Sequence, residues 1–423
     1  MSPRELLLNS FQAALDAADP LKIVPAHLPS PPKGKTLVVG AGKAAAAMAQ
    51  AVEAHWPVEA NLEGIVITRY GHGLPTRKIE VIEAGHPLPD QHGELATQAI
   101  LASVQALNAN DLLLGLFSGG GSSLLSLPIT GVSMGELKDI TRQLLLCGAS
   151  IQEINTVRKH LCAVLGGRLA AACRAPIHCL IISDVTGDEP THIASGPCAP
   201  DPTTYADALA VIKQYAVHVS PHVMNILQDK SQHGEAETPK PGDPIFRNVK
   251  NCVIATGHQS LAAAECFFRT HNITPLMLGD TVTGEAREVA KVYAAVAKEI
   301  CHYDNPFKPP VALISGGETT VTVKGHGRGG RNTEFLLSLA IALDRLKQVY
   351  ALACDTDGID GTEQNAGAIL TPDSLIRAYQ LGLNPNALLN NNDAYNFFEQ
   401  LNDLLITGPT RINVNDYRVI LIL

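Results

Sequence analysis

The sequence predicts an α/β protein of two domains, the first organised on a largely parallel sheet. Three observations carry this. Short apolar runs are followed repeatedly by a Gly-rich or acidic turn and then by an Ala- or Leu-rich helical pattern, the rhythm of βαβ units. The 423 residues, 46% hydrophobic and 17% charged, can bury a large core, and at roughly 150 residues per domain their length suggests two domains or three. Between about residues 228 and 244 the chain loses its apolar period and gathers charge, Pro and Gly, which sets the expected boundary between domains 1–235 and 236–423.

The elements follow in order. Leu6, Leu7, Phe11, Ala14 and Leu15 recur at helical spacing with no basic n-region and no A-x-A-like exit, so the N-terminus reads as an amphipathic packing helix and not a signal peptide. Apolar runs at 36–39, 112–117 and 179–182 enter Gly40-Ala41-Gly42, Ser118-Gly119-Gly120-Gly121 and Ser183-Asp184. The pattern continues at 252–255, 311–314 and 350–353, which enter Thr256-Gly257, Ser315-Gly316-Gly317 and Cys354-Asp355. The polar break at 303–310 reads as a loop inside the second domain.

Composition removes several classes of function. Lys and Arg number 32 against 41 Asp and Glu, a net charge of −9 with no basic block, so nucleic acid and anionic membrane surfaces are poor partners. Nine cysteines with no C-x-x-C pair indicate reduced thiols and a cytoplasmic location, and argue against a disulfide framework or a zinc site. No run approaches the ~18 apolar residues of a membrane span.

The chemistry-bearing residues cluster at strand ends. Gly40 and Gly42 between a strand and a helix let backbone N–H groups approach an anion, and Lys43 at the helix start opposes the macrodipole unless an anion is expected there. The turn also fits a loose G-x-G-x-x-A dinucleotide fingerprint, yet Arg69 stands where an acidic ribose ligand is usual. Ser118, Gly119, Gly120, Gly121 and Ser122 form a second anion cradle. Arg158 opens onto a carboxylate or phosphate, while Lys159 reads as a solvated basic face. Asp184 and Asp188, four apart after an apolar strand, suit magnesium or a general base; Asp188 reads equally as a turn residue. In the second half, a loop with Gly325, Gly327, Gly329 and Gly330 carries Arg328 and Arg331 into a helix and can wrap an anion. Asp355, Asp357 and Asp360 follow in an acidic turn that fails as an EF-hand, since Ala366 stands at the twelfth position. Walker A, protein-kinase and G-x-S-x-G signatures are missing.

The segments VVGAGKAAAAMA, EAGHPLPD, LFSGGGSSLL, INTVRKHLCAVLGGRLA, SDVTGDEPTHIASGPCAPDPTTYADA, ISGGETTVTV, GRGGRNTEFLLSLA, TDGIDG and TGPTRINVNDYRVIL together resemble the glycerate 2-kinases of the MOFRL class, whose members often carry the name hydroxypyruvate reductase. The resemblance runs from about residue 36 to the C-terminus. It implies phosphorylation of D-glycerate at the 2-hydroxyl by ATP with a divalent metal, expected to be Mg²⁺. It also implies a Rossmann-like N-terminal domain, a second α/β domain containing the MOFRL segment, and an active site in the cleft between them. Lys43 and Arg331 are then the phosphate-stabilising cations, with Gly119 to Gly121, Gly316 and Gly317 lining the cleft. Gly40, Gly42, Ser118, Ser122, Arg158, Glu318, Gly329 and Gly330 complete the expected binding residues, and Asp184 and Asp188 are the catalytic or metal-binding carboxylates. The expected partners are the two small molecules, with the oligomeric state, a homo-oligomer included, left open. An NAD(P)-dependent hydroxypyruvate reductase is the alternative, and a non-catalytic nucleotide-binding regulator a third reading.

Overall fold

The computed structural model describes residues 1–233, 237–344 and 346–423. The chain forms two compact units, one of residues 20–254 and one of residues 1–19 together with 255–423.

The 20–254 unit is built on β1 (Thr36–Ala41), β2 (Leu62–Arg69), β3 (Ile79–Ala84), β4 (Leu112–Phe117), β5 (Ile177–Ile182) and β6 (Val249–Ala255), in the order β3-β2-β1-β4-β5-β6. The pairs β2–β3, β1–β2, β1–β4 and β4–β5 are parallel. Every residue of β1 and β4 is buried, as the continuous apolar runs require of strands covered on both faces. The Ala-rich helix Ala45–His55 lies against the sheet through its small side chains. Gly40 permits a close fit between β1 and β4, since a Cβ there would stand 2.4 Å from the Leu116 carbonyl oxygen. Chain order reverses between β1 and β4, so the loops leaving these two strands meet at the switch point where open α/β sheets take their ligands.

The second unit holds β7 (Thr274–Met277), β8 (Thr283–Glu285), β9 (Val311–Ser315), β10 (Glu318–Thr320), β11 (Val349–Asp355), β12 (Gly367–Leu370), β13 (Leu404–Leu405) and β14 (Asp416–Ile422). Six of them form a sheet in the order β13-β12-β11-β14-β9-β7, and β8 pairs with β10. Within the six, only β7–β9 is parallel. The sheet is mixed because β14 returns from the far end of the chain and inserts between β9 and β11, antiparallel to both. Helices Ala286–Tyr303 and Arg331–Leu343 cover it, with Tyr293 and Phe335 edge to face at 5.5 Å.

The expected boundary at 235/236 is corrected at both ends of the first unit. Residues 234–236 themselves lie outside the described residues. The first unit continues to 254 because β6 adds to its sheet beside β5. The N-terminal helix Pro3–Asp16 belongs to the second unit: Phe11 packs on Tyr417 at 5.6 Å, the Tyr417 hydroxyl donates to Ser10 Oγ at 2.9 Å, and Arg4 pairs with Asp403 at 3.1 Å. All nine cysteines are free, and no described helix is long and apolar enough to cross a membrane.

Candidate active site

The loop after β1 is tied to the loop after β4 by its own backbone. Gly42 N–H donates to the Ile67 carbonyl at 3.1 Å, Lys43 N–H to Gly119 O at 2.9 Å, and Ala44 N–H to Ser118 Oγ at 3.0 Å. Ser118 N–H closes the circuit onto Ala41 O at 3.1 Å. The N–H groups of Gly42, Lys43 and Ala44 are therefore turned into the protein. Gly42, at φ +138°, is there because a Cβ would stand 2.1 Å from Ser118 Oγ. What this turn offers a ligand is the Lys43 side chain.

Gly120 has φ +80° and opens the one-turn helix Gly121–Leu124. A Cβ at Gly120 would lie 2.8 Å from His86 Nε2 and 3.6 Å from Lys43 Cγ, so His86, Lys43 and Gly120 adjoin. His86 escaped the sequence analysis; its signal was its place in EAGHPLPD, directly after β3. Gly121 is as tightly fitted, with Ala194 Cβ 2.5 Å from where its own would be, and Ser195 Oγ donates to Ser122 Oγ at 2.8 Å. Ala194, Ser195 and Gly196 all have φ between +50° and +57°, a left-handed run that costs about 1–3 kcal/mol at each non-glycine position. Such strain is held in place by the surrounding bonds, here Gly166 N–H to Ser195 O at 2.9 Å and Gly167 N–H to Gly196 O at 2.8 Å.

Helix Ile151–Leu161 carries the basic triplet and is started by a Ser150–Glu153 capping box. The solvated reading of Lys159 is wrong: it is 2% exposed and bonds Asp201 Oδ1 at 3.2 Å and Thr191 Oγ1 at 3.0 Å. Burial holds its ammonium below the ordinary value, with the Asp201 charge acting in the opposite direction. His160 is buried, its Nε2 3.4 Å from Glu237, and burial lowers it also. Arg158 is half-buried, and among the described residues no carboxylate pairs with it. Its burial pulls the guanidinium down to about 10.

Asp184 follows β5 and is half-buried; Asp188 has φ +54° and donates its N–H to Val185 O at 3.3 Å within a tight turn. Among the described residues no group of three or more His, Cys, Asp or Glu is arranged to hold a metal. Magnesium does not require one, since it is commonly held by one or two carboxylates together with substrate phosphates and water. The hard oxygen donors of Asp184 and Asp188 at a strand's carboxyl end fit that coordination.

The second unit is more closed than its glycines suggest. The loop before helix Arg331–Leu343 is pinned by Asn391 to Asp393: Gly325 N–H bonds Asn392 Oδ1 at 2.9 Å, Gly327 N–H bonds Asn391 O at 2.9 Å, and Arg328 N–H bonds Asp393 Oδ1 at 2.9 Å. The anion at the helix start is the protein's own. Asp360 accepts from Asn332 N–H and Thr333 N–H, each at 2.9 Å, and from Thr333 Oγ1 at 2.8 Å. A Cβ at Gly330 would lie 2.3 Å from Asp360 Oδ1, and Gly329, at φ +149°, opens onto Thr333. The expectation that this loop wraps an external anion is therefore corrected.

Arg331 is held on three sides, its Nε by Asp416 at 2.9 Å, its Nη2 by Asp355 at 2.6 Å and its Nη1 by Glu318 at 3.2 Å. Burial lowers its pKa, but the Asp416 and Asp355 charges outweigh this and raise it well above the ordinary value. Asp355 and Asp416 are nearly sealed, whereas the Glu318 side chain is 58% exposed. Gly316 accepts from Arg418 Nη1 at 2.8 Å, and Gly317, at φ +89°, sits against Val282. The structure thus joins Lys43, Gly120 and His86 in one unit, and Arg331, Glu318, Asp355 and Asp416 in the other.

Residues 6–228 match a domain of unknown function, DUF4147, and residues 311–416 match the MOFRL family. The chain is 47% identical to a putative hydroxypyruvate reductase of Agrobacterium vitis over 100% of this chain and 95% of that protein. It is 40% identical to the D-glycerate 2-kinase of Thermotoga maritima, covering 98% of this chain and 97% of that one. A crystal structure of glycerate kinase from Thermotoga maritima superposes with a TM-score of 0.88 at 39% identity, over 99% of both chains. The chain belongs to the glycerate kinase family, phosphotransferases that join a DUF4147 domain to a MOFRL domain.

Proposed function

We propose that this protein transfers the γ-phosphoryl group of ATP to the 2-hydroxyl of D-glycerate, giving 2-phosphoglycerate and ADP. The observation that carries the reading is the pairing of Lys43 with the left-handed Gly120 at the β1/β4 switch point, in a turn whose N–H groups are already spent. A nicotinamide pyrophosphate is normally met by bare backbone donors at this turn. A point charge such as Lys43 suits the more concentrated charge of a terminal phosphate.

Phosphoryl transfer asks a protein mainly to position the partners and to offset charge on the phosphoryl oxygens. The substrate hydroxyl oxygen attacks the γ-phosphorus, the bond from that phosphorus to the β–γ bridging oxygen breaks, and ADP leaves with the electron pair. Lys43 offsets the charge growing on the phosphoryl and leaving oxygens. Asp184 or Asp188 takes the hydroxyl proton, and the other of the two would hold Mg²⁺, which when bound neutralises charge on the β- and γ-phosphates. Arg158 meets the substrate carboxylate. Arg331 enters only through its Glu318 contact, the exposed one of its three, which a phosphate could replace.

The test is incubation with D-glycerate, ATP and Mg²⁺ followed by phosphorus NMR of the product. A 2-phosphoglycerate signal supports the reading, and 3-phosphoglycerate replaces its regiochemistry. Oxidation of NADH or NADPH on hydroxypyruvate, with no phosphorylated product, puts the reductase in its place.

A further inference from the structure

Three consecutive basic residues on helix Ile151–Leu161 have different fates. Lys159 is spent on Asp201 and Thr191, and His160 faces Glu237. Arg158 alone of the three has no anion beside it among the described residues. One turn earlier, Asn155 is 6% exposed, and among the described residues its buried Oδ1 has no hydrogen-bond partner. Positions three apart share a helix face, so an unpaired guanidinium and an unsatisfied amide lie side by side. The Asn155 Oδ1 is costly as it stands, because a buried polar atom loses its water without gaining a partner.

The helix that presents them is firmly held. Its start carries the capping box, and Lys159 anchors it to the segment whose Ser195 bonds Ser122 of the glycine loop. Arg168 Nη1 reinforces the last turn through the Lys159 and Cys162 carbonyls, at 2.6 and 2.8 Å.

We propose that the Asn155–Arg158 face recognises the 2-hydroxy acid, with Arg158 forking onto the carboxylate and the Asn155 amide bonding the neighbouring hydroxyl. This deepens the glycerate reading above and rests on it. The chemistry matches the ligand group by group. A guanidinium suits a carboxylate bidentately. A hydroxyl both donates and accepts, and a primary amide offers either end. Arg158 thereby acquires the anion it lacks, and Asn155 becomes a specificity residue for the hydroxyl.

The test measures binding by calorimetry without turnover, using D-glycerate, 3-hydroxypropionate, which keeps the carboxylate and lacks the 2-hydroxyl, and Mg²⁺–ATP as separate probes. The wild type should bind glycerate about tenfold more tightly than 3-hydroxypropionate, the worth of one hydrogen bond. Asn155→Ala should erase that preference by weakening glycerate alone, and Asn155→Ser, which retains a donor and an acceptor, should restore part of it. Arg158→Gln should weaken both acids at least tenfold and leave ATP within twofold. Thermal unfolding of each variant separates loss of the site from loss of the fold, and should Asn155→Ala not fold, Asn155→Ser decides the amide by the same preference. Unchanged preference in a folded Asn155 variant overturns the amide's role. Loss of ATP and not acid binding in Arg158→Gln overturns the whole proposal and makes the site a triphosphate contact. If the acids bind with the expected selectivity and no phosphorylated product forms, the kinase reading fails while this site stands.

Discussion

Replacing Gly120 with Ala tests the geometry at the switch point directly. Two costs can be worked separately. An alanine forced to keep φ +80° adopts the left-handed region, which costs about 1–2 kcal/mol. For a unit of this size, 1 kcal/mol lowers the Tm by about 2–4 °C, so a drop of roughly 2–8 °C is expected. The new methyl would also stand 2.8 Å from His86 Nε2 and 2.9 Å from Cδ2. Carbon contacts normally settle at about 3.5–4.0 Å, so the imidazole must retreat by on the order of 1 Å. A displacement of that size in a reacting site costs up to about 100-fold in rate. The assay is initial rates of glycerate phosphorylation with thermal unfolding in parallel, on Gly120→Ala, His86→Ala and the double variant. In the double variant the methyl has room, so its kcat/KM should match that of His86→Ala while its Tm stays low. Non-additivity of this kind is the signature of residues in contact. A Gly120→Ala enzyme with wild-type rate and wild-type Tm would refute the geometry. A double variant slowed by the product of the two single effects would refute the contact with His86.

Lys43→Met should lower kcat by about 10²–10³-fold with an unchanged Tm, the loss expected for one preorganised charge donor, and steady-state kinetics with circular dichroism check both halves. Asp360→Ala removes the carboxylate that caps helix Arg331–Leu343 and strands two buried N–H groups, so chemical denaturation should show a loss of about 2–4 kcal/mol. Glu136 is held down to about 2 by hydrogen bonds from the Ser220 hydroxyl first and from the Ser133 backbone and hydroxyl next. A depressed carboxylate stabilises above its unfolded value and loses that contribution as pH falls through its folded value. Glu136→Gln should therefore be less stable than wild type above about pH 4.5, with the gap closing between 4.5 and about 2 in urea titrations. A gap that stays constant through that window would count against the hydrogen-bond set.

Much of the first unit was legible because its determinants are local. Apolar runs at 36–39 and 112–117 are followed at once by their glycine turns, and the structure places both turns side by side. What the sequence could not show is where each donor ends. The N–H groups of Gly42, Lys43 and Ala44 look available until residues 67, 118 and 119 are folded onto them. The same holds for Arg331, whose carboxylates come from positions 318, 355 and 416, and for Lys159, whose partner Asp201 is 42 residues away. Periodicity identified the N-terminal helix as a packing element, but its packing partner, Tyr417, lies 407 residues beyond Ser10. The mixed second sheet was hidden for a similar reason: β14 pairs with strands already laid down, and no local pattern announces its direction.

The placement of helix Pro3–Asp16 sets a schedule for biosynthesis. Its apolar face is made before residues 20–254, yet the surface that buries it belongs to residues 255–423. At ribosomal speeds of about 5–20 residues per second, that face waits on the order of 10–50 s while the intervening unit is translated and able to fold. During that interval a holdase has a sticky amphipathic segment to grip, and an arrested nascent chain would display it to the cell.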